Sequence, residues 1–253
     1  MKLYELYFSP TGGTKKVTKY LSTAWTCEKE ELDLMSGENM VVPQLDATDI
    51  CIVAVPSYAG RVPAFAADVL KRISGNHAKA VLVAVYGNRE FEDTLIELRD
   101  ILENCGFNCI AAVAALAEHS IARQFAAGRP DAEDAKELQE FGLTIKEKME
   151  LAHADFEIQV PGNHPYRPAG NIMSKPVGTE ECIKCGKCAE ECPVWAIPSD
   201  NLTSVDKDRC MACMHCIAVC PKQARRVPEE ILAGLVKHLE PLCQGRKQNQ
   251  LFV

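Results

Sequence analysis

The chain has 253 residues, 47% of them hydrophobic and 25% charged, with a formal net charge of −7. That length suits one large domain or two smaller ones. The acidic balance leaves no cationic excess to neutralise phosphates, so no nucleic-acid partner is expected. The longest apolar runs, such as IAAVAALA at Ile110–Ala117, fall far short of the ~20 residues of a bilayer-crossing helix. The start MKLYELYFS has no long apolar core followed by a small-residue cleavage site, so the expectation is a cytoplasmic protein with no membrane partner.

The first strand, LYELYFS, runs into YFSPTGGTKKV, and Thr14–Ala24 then reads as a helix. EELDL is a weaker second strand. DICIVAVPSY is a near-continuous apolar run, as a strand covered on both faces requires. Pro63–Ile73 reads as a helix with proline in its first turn. AKAVLVAVYG is a fourth strand. Asn88–Cys105 is a helix with Phe91, Leu95, Leu98 and Leu102 on one stripe, stopped by Gly106. NCIAAVAAL is a fifth strand, and Ala132–Ala152 a helix with Leu138, Phe141, Ile145 and Met149 at core spacing. Alternating strands and helices predict an α/β fold, a parallel sheet with helices on both faces. At about residue 156 the composition changes: VPGNHPYRPAGN holds three prolines and two glycines without periodicity, a linker or an extended wrap. A cysteine-rich segment follows. PEEILAGLVKHLEPL then reads as a helix, with a frayed tail over Gln244–Val253.

Eight of the 13 cysteines lie between Cys182 and Cys220. Cys27, Cys51, Cys105 and Cys109 are scattered, and Cys243 stands alone; Cys51 and Cys109 fall inside strands, as small core residues do. An odd total without an export signal disfavours a disulfide framework. CIKCGKCAEECPVWAI and CMACMHCIAVCPKQAR align at an offset of 28 residues, each reading C-x2-C-x2-C-x3-C-P. This spacing resembles the bacterial ferredoxin run, in which the fourth cysteine ligates the other cluster. One [4Fe-4S] cluster is therefore assigned to Cys182, Cys185, Cys188 and Cys220, and a second to Cys210, Cys213, Cys216 and Cys192. Structural zinc usually takes two separated cysteine pairs, a different spacing. From Pro176 to Pro228 there are seven acidic and seven basic side chains, so the shell is neutral. Cluster potentials then depend on backbone amides, burial and solvent. Trp195 is expected to pack near a cluster and exclude water.

The loop after the first strand sets Ser9, Thr11 and Thr14 around Gly12 and Gly13. It fails the Walker A pattern and the G-x-G-x-x-G dinucleotide fingerprint. What remains, [ST]-x-T-G-x-T between a strand and a helix, resembles the FMN-phosphate loop of flavodoxins, where helix-start N–H groups and hydroxyls meet a monophosphate. A simple helix cap at Thr11 or Thr14 is the alternative. In the flavodoxin-like strand order 2-1-3-4-5, ligands sit between strands 1 and 3. The loops PSYAGRVP and YGNREFED end strands 3 and 4. The resemblance implies that Tyr58 or Phe91 stacks on the isoalloxazine, that Ala59 and Gly60 give backbone contacts near N5, and that Gly87 and Asn88 border the pyrimidine edge. Ser57 and Tyr86, in the same two loops, join the FMN-binding set. Both aromatics could instead be core or surface residues.

Arg61 reads equally as a flavin or substrate neutraliser and as a solvated charge. His119, Arg123 and Arg129 follow strand 5 on the same sheet edge, as a substrate or docking loop or an ordinary charged one. His153, His164 and His215 join no constellation. The whole chain resembles a flavodoxin–ferredoxin fusion. That resemblance implies a doubly wound five-stranded parallel sheet over residues 1–155, a linker over 156–174, a small α+β two-cluster ferredoxin domain over 175–228, and a helix and tail over 229–253. It further implies an electron-transfer protein with FMN, two [4Fe-4S] clusters and redox partner proteins. The alternative is an FMN-dependent reductase of a small-molecule acceptor, with Arg61 and the EHSIARQ loop as its pocket.

Overall fold

The computed structural model describes residues 1–151, 158–170 and 172–253. Strand β1 (Leu3–Tyr7) is buried along its whole length and leads into helix α1 (Gly13–Ser22). Strand β2 (Lys29–Asp33) and a 3-10 turn over Leu34–Asn39 follow. Next come β3 (Ile50–Pro56), α2 (Ala64–Leu70), β4 (Lys79–Tyr86), α3 (Thr94–Asn104), β5 (Asn108–Leu116) and α4 (Ala132–Leu151). Strands β1 to β5 pair in parallel in the order β2-β1-β3-β4-β5. This is the flavodoxin-like order, with its switch point between β1 and β3.

Residues alternate along each strand, so the sheet buries two separate layers. Leu6, Val53, Val55 and Leu82 pack with Ala66 and Leu70 of α2 and with Leu95, Leu98 and Leu102 of α3. On the other face Leu3, Ile52, Val83 and Val113 pack with Val17 and Leu21 of α1 and Leu138 and Ile145 of α4. Cys51 and Cys109 are buried in the first layer, as their strand positions predict.

The segment 158–170 is an extended wrap over the start of α3. Asp93 Oδ1 accepts the Asn163 N–H at 2.9 Å, and Oδ2 accepts that of Arg167 at 2.7 Å. His164 Nε2 lies 2.6 Å from Asp100 Oδ2. Gly162 allows the approach: a Cβ there would stand 2.2 Å from Ile96 Cγ2. His153 and the expected boundary at residues 155 and 156 lie outside the described residues.

The cysteine-rich segment pairs β6 (Val177–Gly178) with β7 (Arg225–Arg226) and carries two one-turn helices, α5 (Lys187–Glu190) and α6 (His215–Ala218). The 28-residue repeat is visible in the backbone. Lys184 and Ala212, Gly186 and Met214, and Trp195 and Gln223 all adopt positive φ, in pairs that the repeat relates.

Helix α7 (Glu229–Leu239) follows, and the polypeptide then returns to the sheet as β8 (Gln250–Phe252), antiparallel to β5. This corrects the expectation of a frayed tail and adds a sixth strand to the five expected. The return is held by polar contacts that no periodicity announces. Asn249 Oδ1 accepts the Leu116 N–H at 2.8 Å, Asn249 Nδ2 donates to Asp134 Oδ1 at 3.0 Å, and Arg246 Nη1 donates to Asp131 Oδ2 at 2.7 Å.

Candidate functional site

The eight clustered thiols form two quartets. Cys182, Cys185, Cys188 and Cys220 line one space; Cys192, Cys210, Cys213 and Cys216 line another. These are the sets expected from the crossed fourth ligand. All 13 cysteines are free thiols. Among the described residues no group of three or more His, Cys, Asp or Glu is gathered to hold a single metal ion. Each quartet lines its own space, and a cubane cluster would take four such thiolates.

Backbone amides already point at the sulfurs. Ala196 donates to Cys192 Sγ at 3.3 Å, Ala224 to Cys220 Sγ at 3.2 Å and Ala212 to Cys210 Sγ at 3.4 Å. Such bonds stabilise a thiolate-bound cluster. Burial pushes the Cys213 thiol up to about 12 and that of Cys216 up to about 11, so iron must displace protons to bind. Each quartet has one buried thiol, Cys188 and Cys213, but Cys185 is the one exposed thiol of the eight, which makes the first quartet the outer one. Trp195 corrects an expectation: it is 65% exposed and does not line the second space. It occupies the left-handed turn position, φ 48°, which the repeat pairs with the exposed Gln223. Pro193, Val194, Ala196 and Ile197 line the space instead.

Beyond the carboxyl ends of β1, β3 and β4 lies a cavity of about 490 Å³, within the usual range of cofactor sites. Thr11, Gly13, Thr14, Ser57, Tyr58, Ala59, Tyr86 and Gly87 line its floor. Helix α1 begins here, and its first N–H groups lack intrahelical partners, which suits an anion. The cap is Gly12 in the left-handed region, φ 89°, not Thr11 or Thr14. A Cβ at Gly12 would meet no atom within 4 Å. Thr11 and Thr14 are left to face the cavity, and the loop residues present fit a monophosphate. Lys15 pairs instead with Glu31 at 2.7 Å, and Lys16 Nζ donates to the Pro130 carbonyl at 2.8 Å.

Ser9, Gly12, Gly60, Asn88 and Phe91 are not among the lining residues. Ser9 Oγ accepts the Lys15 N–H at 2.8 Å and so braces the loop from behind. Gly60 (φ 79°) lies so close to Glu92 that a Cβ would stand 1.9 Å from its Oε2. The Asn88 amide donates to the carbonyls of Cys243 at 2.8 Å and Gly245 at 2.9 Å, tying down the returning segment. Phe91 is 4% exposed, with its ring centroid 5.3 Å from that of Tyr86; it is a core residue, and Tyr58 is the aromatic at the cavity. Burial raises the Tyr58 phenol well above its ordinary value, and the charge of Cys213 adds to this.

The cavity also has a roof. Arg167 comes from the wrap, Met173 and Ser174 from the stretch ahead of β6, Ala212 from the second quartet's loop, and Ile231, Leu235 and Leu239 from α7. The spacing of those three along α7 was the available sign of an apolar face. Of the charged candidates only His119 lines the cavity. Its Nδ1 accepts the N–H groups of Ile121 at 3.2 Å and Ala122 at 3.1 Å. Burial, then the charge of Arg89, pushes its imidazole down to about 4. Arg61 is fixed by Glu97 at 2.7 Å. Arg123 pairs with Glu118, and Arg129 Nε donates to Asp134 at 2.8 Å. His215 bridges the two halves: Nδ1 lies 2.8 Å from the Pro10 carbonyl oxygen and Nε2 3.1 Å from Glu191 Oε2.

The strand order and the crossed quartets define a flavodoxin-like α/β domain joined to a ferredoxin-type cysteine module. A family model, 4Fe-4S dicluster domain, matches residues 181–224. Ferredoxin-2 of Chlorobaculum tepidum is 40% identical over 50 residues, covering 17% of this chain and 81% of its own. Pyruvate synthase subunit PorD of Methanocaldococcus jannaschii is 35% identical over 78 residues, 26% of this chain and 90% of its own. Through this segment the protein belongs to the 4Fe-4S dicluster ferredoxin family. Other relatives are matched over a smaller share of their length. The match spans only 17% of an ion-translocating oxidoreductase complex protein of Methanosarcina acetivorans, at 46% identity over 44 residues. It spans 49% of a polysulfide reductase component of Wolinella succinogenes, at 28% identity. Among solved structures, a flavodoxin from Streptococcus pneumonia TIGR4 aligns at 15% identity and a TM-score of 0.41, covering 58% of this chain and 99% of its own. Among the described residues no helix is long and apolar enough to cross a membrane.

Proposed function

We propose that the protein is an electron-transfer iron–sulfur flavoprotein, moving single electrons between two [4Fe-4S] clusters and an FMN in the roofed cavity. The observation that carries this reading is Ala212. It lies between Cys210 and Cys213 in sequence, and it lines the cavity that Thr11, Thr14 and Tyr58 also line. Bound FMN would supply a centre that accepts one electron or two, and so couples one-electron clusters to two-electron chemistry.

The protein's own residues have separable tasks in this reading. The start of α1, with Thr11 and Thr14, holds the phosphate. Tyr58, Ala59 and Gly87 shape the ring end. Ala212, Leu235 and Leu239 close the cavity and exclude water. The second quartet is the inner one. The first, with exposed Cys185, faces a redox partner protein. The reductase alternative has less support, because Arg61 and Arg123 are held in ion pairs and do not converge with His119.

The test is anaerobic reconstitution followed by assay of iron, sulfide and flavin. About eight irons and one FMN per chain are expected; fewer than about six irons, or no FMN released on denaturation, rejects the reading.

A further inference from the structure

The 28-residue repeat pairs Ile197 with Arg225. Ile197 lines the space of the second quartet and Arg225 that of the first. One half thus carries a hydrocarbon where the other carries a cation, and that cation is only 2% exposed.

Its surroundings are unusual. Arg225 Nη1 donates to the Leu202 carbonyl at 2.6 Å and reaches Cys188 Sγ at 3.9 Å. Nη2 donates to the carbonyls of Pro176 at 2.9 Å and Ser204 at 3.3 Å. Nε is buried without a partner. Among the described residues none of these partners is a carboxylate. A buried cation without an anion is costly, so its counter-charge has to come from what the thiols hold. Arg225 thus stands against the first quartet, lining its space with Nη1 turned to Cys188.

We infer that Arg225 is the counter-charge of the cluster held by the first quartet, set beside Cys188 to raise its reduction potential. Each one-electron reduction adds a negative charge to a cluster without breaking a bond, and a fixed cation with N–H groups aimed at sulfur favours that added charge. This rests on the iron–sulfur reading above and is independent of FMN.

The experiment is an anaerobic redox titration of the full chain followed by electron paramagnetic resonance, with iron and sulfide assayed on the same samples. Arg225→Gln and Arg225→Ile should titrate at more negative potentials. At a fixed potential their oxidised-to-reduced ratio should rise at least tenfold, about 59 mV for a one-electron couple. Arg225→Lys should recover most of the shift. Full iron and sulfide with potentials unchanged in the neutral variants overturns the inference and leaves Arg225 as a carbonyl clamp. Wild-type protein without iron and sulfide overturns the iron–sulfur reading itself. If the variants lose their clusters, the wild type decides: with isotopically labelled guanidino nitrogens, a hyperfine coupling to the reduced cluster of the first quartet supports the inference, and its absence rejects it.

Discussion

His215 Nδ1 stands 2.8 Å from the carbonyl oxygen of Pro10. One residue lies beside Cys216 of the inner quartet and the other inside the loop proposed to hold phosphate. A single ring therefore ties the iron–sulfur segment to the floor of the cavity. His215→Ala should remove two polar contacts, each worth about 1 kcal/mol. The expected result is intact clusters and FMN, faster amide exchange in α6, and several-fold slower electron transfer between clusters and flavin. Exchange mass spectrometry and stopped-flow absorbance check this.

The depressed imidazole of His119 sets an acid limit. Its folded value, about 4, lies below the unfolded value of about 6.5. The unfolded state therefore binds the extra proton first as pH falls. The stabilisation is complete above about pH 6.5 and is lost as pH drops through about 4, by about 3 kcal/mol. Urea midpoints measured between these limits should fall with acidity, and His119→Asn should flatten the profile.

Tyr58 and Phe91 give opposite outcomes. Phe91→Ala should cost about 3–5 kcal/mol through the cavity it leaves in the core, with the flavin spectrum unchanged. Tyr58→Leu should leave folding nearly intact and shift the flavin absorption band and dissociation constant. Thermal melts and flavin titrations separate the two.

Asn249 accepts from Leu116 and donates to Asp134. Asn249→Ala leaves a strand amide unsatisfied, and a loss of about 1–3 kcal/mol is expected. Because the same segment anchors α7, the variant should also release FMN faster, read as a rise in flavin fluorescence on dilution.

The parts that were legible in the sequence follow short-range rules. The parallel sheet followed from alternating apolar runs and helical stripes, its strand order from the resemblance to flavodoxins, and the thiol quartets from one repeated spacing. Phe91 reads as part of a helical stripe and as a candidate to stack on flavin; it is a core residue that lies ahead of α3, which starts at Thr94. The tail was not legible, because Gln250–Phe252 is only three residues long and its pairing depends on Asn249, Arg246 and Asn88 reaching distant partners. The roof was missed for the same reason: contacts between Ala212, α7 and the sheet are long-range, and α7 showed a stripe without showing what it covers. Arg61 could not be decided from sequence, because its partner Glu97 lies 36 residues away.

The roof has a consequence for how the protein is made. Strands β1 to β5 precede the cysteine segment in sequence, and α7 follows both. A ribosome therefore delivers the floor first and the covering helix afterwards. The floor proposed to take FMN is thus complete in sequence before the helix that lines its far side, and a polypeptide ending ahead of Glu229 would keep the floor and lack that cover.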